Sequence, residues 1–162
     1  DTLSLHDAFR SLQDDDGRLR DVLGHVFHAL ELHNKWVGQF FTPYEVCLLM
    51  VEMTIGDELE AKIASDGFVT VNEPTSGSGA MVIAFADAMR RRGFEPQRQL
   101  HAVAQDVDER AVHMTYLQLA LLGVPAVVIH GNTLALEQRS LWYTPMHVLG
   151  GWSWRLHSKQ ER

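Results

Sequence analysis

The hydrophobic period of the chain changes after Gly67, and that change limits the folds open to it. From there short apolar runs of strand character, FVTV, LHAVAQ and AVVIHG, alternate with two longer runs of helical period, AMVIAFADAMRR and DERAVHMTYLQLALLG. Strands separated by helices of this length are joined by right-handed crossovers, which predicts a parallel sheet covered on both faces. The expected architecture is the start of a doubly wound α/β fold. In the second helix Val112, Thr115, Tyr116, Leu119 and Leu122 form a packing stripe, to which no chemistry is assigned. The basic connection RRRGFEPQRQ reads as a solvated loop at the far edge of the sheet.

A chain of 162 residues fits one domain, but is short for an α/β enzyme with several βαβ units. It begins at Asp1 rather than Met, so it reads as either a fragment or a processed product. The net charge of −7 opposes the phosphate backbone of nucleic acid and disfavours an autonomous DNA-binding module. Cys47 is the only cysteine and sits in the apolar run VCLLM, which excludes a disulfide framework and a cysteine zinc site within one chain. No apolar stretch approaches the roughly 18 residues of a membrane span, and no signal-like start is present. A cytoplasmic location is expected.

Ahead of Gly67 the pattern is helical. Leu19, Val22, Leu23, Val26 and Leu30 fall at helix spacing, with Asp14, Asp15, Asp16 and Gly17 before them supplying turn and capping chemistry. A shorter helix from about Leu3 to Leu12 is expected to precede it. The three aspartates lack the alternating ligands and closing glutamate of a calcium loop. His25, His28 and His33 lack the common face of a metal site. In GQFFTPYEV, Thr42, Pro43 and Glu45 fit a helix cap, first turn and capping box, after which Val46, Leu49, Met50 and Met53 line one face. Phe40 and Phe41 either plug the core or wall a pocket; local pattern alone favours the core.

Between the first strand and its helix lies NEPTSGSG, where Gly77 and Gly79 allow a tight turn and close approach of a ligand to bare backbone. In a parallel sheet such a loop runs into the positive end of a helix, beyond the carboxyl ends of the strands. The second strand ends at Asp106, placed to accept ribose hydroxyls. The third ends at Asn132, placed either to read an adenine edge or merely to terminate the strand. No Gly-Lys-Ser/Thr follows the loop and Glu73 would repel a pyrophosphate, so an adenosine-type ligand carrying positive charge fits better.

In this order, GQFFTP, EPTSGSGAM, AQDVDERAVHMTYLQLALLG and HGNTL resemble the S-adenosylmethionine-binding half of N6-adenine DNA methyltransferases, specifically the modification subunits of type I restriction systems. The resemblance covers about residues 36–134. It implies a Rossmann-like class I methyltransferase fold, three-layer αβα with a parallel sheet, here truncated. Residues 1–36 would form an N-terminal helical segment and residues 37–162 a partial methyltransferase-like domain. It further implies that Phe40, Phe41, Thr42 and Pro43 wall the methionine end of S-adenosylmethionine. Glu73, Thr75, Gly77 and Gly79 would form the loop beside it, with Asp106 on the ribose and Asn132 near adenine.

The chain departs from the family pattern at several places. The family usually has aspartate at Glu73, alanine-cysteine at Thr75 and Ser76, and aspartate at Asn132. Its Asp/Asn-Pro-Pro-Tyr/Phe motif, which holds and stacks the target adenine, has no counterpart, because no pair of prolines occurs. HVLGGW is expected as the fourth strand, with Gly150, Gly151 and Trp152 in the motif's place. The leading expectation is a cofactor-binding domain without turnover, acting on DNA through a partner or a missing region, as a restriction-modification subunit would. Two alternatives stand beside it. One is an active adenine N6-methyltransferase with Trp152 as stacking residue. The other is an interaction module with a vestigial pocket and a C-terminal patch of Trp142, Tyr143, Trp152 and Trp154.

Overall fold

Three short runs, VTVNE, LHAVAQD and AVVIHGN, build the centre of the molecule, the second and third buried at adjacent as well as alternate positions. The computed structural model describes residues 7, 10–30, 41–56 and 58–160. Phe40, His33 and most of the segment Leu3–Leu12 lie outside the described residues. In chain order the elements are α1 (Val22–Ala29), α2 (Tyr44–Thr54), α3 (Glu58–Asp66), β1 (Val69–Glu73), α4 (Ala80–Arg91) and α5 (Pro96–Gln99). Then come β2 (Leu100–Asp106), α6 (Glu109–Leu121), β3 (Ala126–Asn132), β4 (Glu137–Tyr143), α7 (Pro145–Leu149) and α8 (Trp152–Gln160).

The strands lie in the order β1-β2-β3-β4. The first three are parallel, with Val69 opposite Leu100 and Ala102 opposite Ala126. Val69, Leu100, Ala102, Ala126 and Val128 join Val82, Ile83 and Met89 of α4 and Val112 and Leu119 of α6 in one buried cluster. Thr115, in the same α6 stripe, is also buried.

The fourth strand corrects the sequence expectation. HVLGGW is not a strand: it forms α7, a turn and the start of α8. The strand is instead EQRSLWY, and it runs antiparallel to β3. Only residues 133–136 separate the two, far fewer than the dozen or so that a parallel crossover needs, so a hairpin is the available connection. The sheet is therefore mixed, not wholly parallel. Nor does Trp152 offer a face for stacking. It is fully buried, edge-on to Phe68 at 5.1 Å between centroids, with the Arg155 guanidinium 3.8 Å over its ring.

Trp152 belongs to a latch that holds α7 and α8 on the sheet. His101 Nε2 lies 2.9 Å from His147 Nδ1, and His147 Nε2 lies 3.0 Å from Ser153 Oγ. His101 Nδ1 has no partner among the described residues. A buried lone pair is less costly to leave there than a buried N–H, so the His101 proton belongs on Nε2, donated to His147. Burial above all, then His147 and Arg155, pushes the His101 pKa down to about 4. Burial lowers that of His147 as well.

Further expectations change before Gly67, and one after it. No side chain caps α2, whose N-cap is Pro43, so the capping box of Thr42 and Glu45 does not form. Val46, Leu49, Met50 and Met53 are exposed, and the helix buries Cys47 and Val51. Burial, first among several causes, pushes the Cys47 thiol up to about 11. Asp14 makes the expected turn, accepting from the Asp16 and Arg18 amides, but the cap of α1 is Asp21. Helix α1 buries Gly24 and Phe27 while Val26 and Leu30 face outward. The connection RRRGFEPQRQ is not all solvated loop: it contains α5, and Arg91 and Arg92 pair with Glu52 on α2.

Candidate functional site at the carboxyl rim of the sheet

The loop of residues 74–79 leaves β1 and enters α4, and each part of it is tied to a neighbouring strand or helix. The Ser76 amide donates to the Gln105 carbonyl at 2.8 Å, and the Gly77 amide donates to Asp106 Oδ2 at 2.8 Å. Thr115 of α6 donates its hydroxyl to the Gly77 carbonyl at 3.0 Å. Asp106 Oδ1 accepts the Asp108 amide at 2.9 Å, which turns the chain into α6. Both carboxylate oxygens of Asp106 are thus anchored by one N–H each, and each retains capacity for a further donor.

The other rim residues take their places around this loop. Glu73 Oε1 accepts from the Thr75 amide and hydroxyl at 3.2 and 3.3 Å. Thr133 donates to the Pro74 carbonyl at 2.7 Å, bringing the end of β3 against the loop. Asn132 uses its side-chain carbonyl to accept the Leu134 and Ala135 amides, forming the turn into β4. Its NH₂ is left as the group available to a ligand, a donor rather than an acceptor. Glu73, Thr75, Gly77, Gly79, Asp106 and Asn132 therefore share one rim.

Phe41 joins them and Phe40 lies outside the described residues. The Phe41 ring lies against Gly77, where an added Cβ would stand 2.9 Å from Phe41 Cδ1, and Gly77 also has a φ of 55°. Bare backbone here serves contact with the chain's own aromatic as well as any ligand. Thr42 and Pro43 are exposed at the approach to α2. The Thr42 carbonyl accepts the Cys47 thiol at 3.9 Å.

Sequence reasoning missed three participants. Phe27 of α1 stacks on Phe41 at 4.8 Å and 26°, with the Arg110 guanidinium 5.7 Å from its centroid. Asp21 and Gln118 hydrogen-bond to Ser78 inside the loop. The helix stripe of Leu19, Val22, Leu23, Val26 and Leu30 left Phe27 unmarked, and nothing local distinguishes Asp21 from an N-cap. Among the described residues no cluster of histidine, cysteine or carboxylate side chains is arranged to hold a metal.

A βαβ unit whose first strand opens through a glycine loop into a helix, with a carboxylate at the end of the second strand, defines an α/β domain of the class that takes ligands at the strand ends. Residues 18–150 match the family described as N-6 DNA Methylase, and the chain belongs to that family. No curated protein and no solved structure matches it. Among the described residues no helix is long and apolar enough to cross a membrane.

Proposed function

We propose that the chain is the cofactor-binding part of an adenine N6-methylating system, taking S-adenosylmethionine at the carboxyl rim and not transferring its methyl group unaided. The observation that carries this reading is the bond from the Gly77 amide to Asp106 Oδ2, which joins glycine loop and strand-end acid into one wall. The residues present fit the cofactor. Asp106 keeps acceptor capacity for ribose hydroxyls, Glu73 and Asp106 suit a cationic ligand, and the Asn132 NH₂ can donate to an adenine ring nitrogen. Bound S-adenosylmethionine supplies an electrophilic methyl group on a sulfonium. The chain's own residues bind and orient it.

Support for the absence of turnover comes from the segment after β3. It holds an exposed antiparallel strand and two helices, with Trp152 buried and no paired prolines. Methyl transfer needs an acceptor nitrogen held in line with the sulfonium and relieved of developing charge, and among the described residues of this segment no group for that task stands out. DNA and a partner subunit of restriction-modification type belong to the same proposal. A second reading, an interaction module with a vestigial pocket, is favoured by the exposure of Trp154, Leu149 and Tyr143 near the C-terminal end.

Calorimetric titration with S-adenosylmethionine, paired with labelled-methyl incorporation into adenine-containing DNA, tests the reading. Saturable one-to-one binding without incorporation is the expected result. Incorporation by the chain alone would overturn the non-catalytic part, and no binding at millimolar cofactor would leave the interaction module.

A further inference from the structure

Ser78, between the two glycines of the loop, is 1% exposed, and its hydroxyl donates to Asp21 Oδ2 at 2.5 Å. Asp21 is also buried, and its Oδ1 accepts from Gln118 Nε2 at 2.8 Å and from the Gly24 amide at 2.9 Å. Gln118 Nε2 donates in addition to the Ser78 carbonyl at 2.9 Å, while Gln118 Oε1 accepts the Leu23 amide at 3.1 Å. Three parts of the chain that lie far apart in sequence thus meet on one carboxylate. Among the described residues no ion pair to Asp21 forms, and these donors satisfy its buried oxygens.

Gly24 shows how closely the parts meet. It lies inside α1, where glycine weakens a helix, yet a Cβ there would overlap Asp21 Oδ2 and stand 2.5 Å from Ser78 Oγ. The helix gives up a side chain so that its backbone can seat against the carboxylate–hydroxyl pair. One turn further on, the same helix carries Phe27, stacked on the Phe41 ring that lies against Gly77.

We propose that Asp21 is the positioning residue of the rim: through Ser78 and Gln118 it fixes the glycine loop, and through α1 it fixes the aromatic cover, in one register. Neither Asp21 nor Gln118 needs to touch the ligand. The inference rests on the reading of the rim as a cofactor site for its effect on affinity, but the fixing of the loop is measurable without ligand.

The test compares the full chain with its Asp21→Asn and Ser78→Ala variants and the double variant. Asparagine keeps the shape of Asp21 but cannot accept on both sides, and alanine removes only the hydroxyl link to the loop. In the ligand-free proteins, well below melting, amide exchange at Gly77 and Gly79 should quicken by roughly tenfold or more in each single variant, with the amides of β2 and β3 unchanged. Affinity for S-adenosylmethionine should fall by roughly tenfold, and the double variant should be no weaker than the worse single one, as expected of groups acting as one unit. Loop exchange that stays at the wild-type rate, or rises equally throughout the sheet, would overturn the proposal. So would wild-type affinity in both folded single variants. A wild-type chain that takes up no cofactor, with loop amides loosened only in the variants, would remove the cofactor reading and leave the fixing of the loop by Asp21 standing.

Discussion

Asp106 has one task in the structure and, on the proposed reading, a second, and both pull on the same two oxygens. It holds the Gly77 and Asp108 amides, and it faces the rim where a ribose would lie. Asp106→Asn keeps the volume and loses one acceptor, so affinity for S-adenosylmethionine should drop at least about tenfold by calorimetry while the fold survives. Phe41 carries a different expectation, because it is packed on both sides. Phe41→Ala should cost about 3 kcal/mol in denaturant unfolding, the ordinary cost of deleting a buried ring, and weaken cofactor binding in the same preparation. Loss of stability with affinity intact would assign the ring to the core alone. At this scale the sequence was partly legible. Glycines and a strand-end acid announce themselves by type and position, whereas Asp21 and Gln118 stand 97 positions apart and acquire meaning only when the fold brings them together.

Elements were easiest to read where period and burial agree. The runs forming β1, α4, β2, α6 and β3 are legible because each has one repeat and clear punctuation. Strand β4 was missed because an edge strand with every residue exposed carries no apolar alternation to find. Helix α2 misled for the opposite reason: its apolar spacing is regular, but it lies on the outer side. Lysine at Leu49 and Met53 should therefore shift stability by no more than about 0.5 kcal/mol in chemical denaturation, where burial of that face would predict several. The α7–α8 latch makes a pH prediction. Above the ordinary histidine value of 6.5, His101 is neutral folded and unfolded, and its environment costs nothing. Between 6.5 and about 4 the unfolded chain takes up a proton there that the folded chain refuses, so stability falls with falling pH. Melting temperatures across that window should decline, and His101→Gln should flatten the decline.

For the whole molecule, the mixed order of the sheet matters more than its helix count. The resemblance to adenine methyltransferases implied a parallel, doubly covered sheet; the chain supplies three parallel strands, closed on one side by an antiparallel hairpin partner. The hairpin follows from the shortness of residues 133–136, which was visible in the sequence but unreadable until β4 itself was known. With β4 outside β3, β1 is left as the other border of the sheet among the described residues, and β1 is the strand from which the glycine loop springs. Border strands fray before interior ones. On warming, ligand uptake should therefore fade at a lower temperature than the far-ultraviolet signal of the helices, a separation visible when binding and ellipticity are followed on one sample. The molecule would then have a working range narrower than its range of existence, set by the half-paired strand that bears its loop.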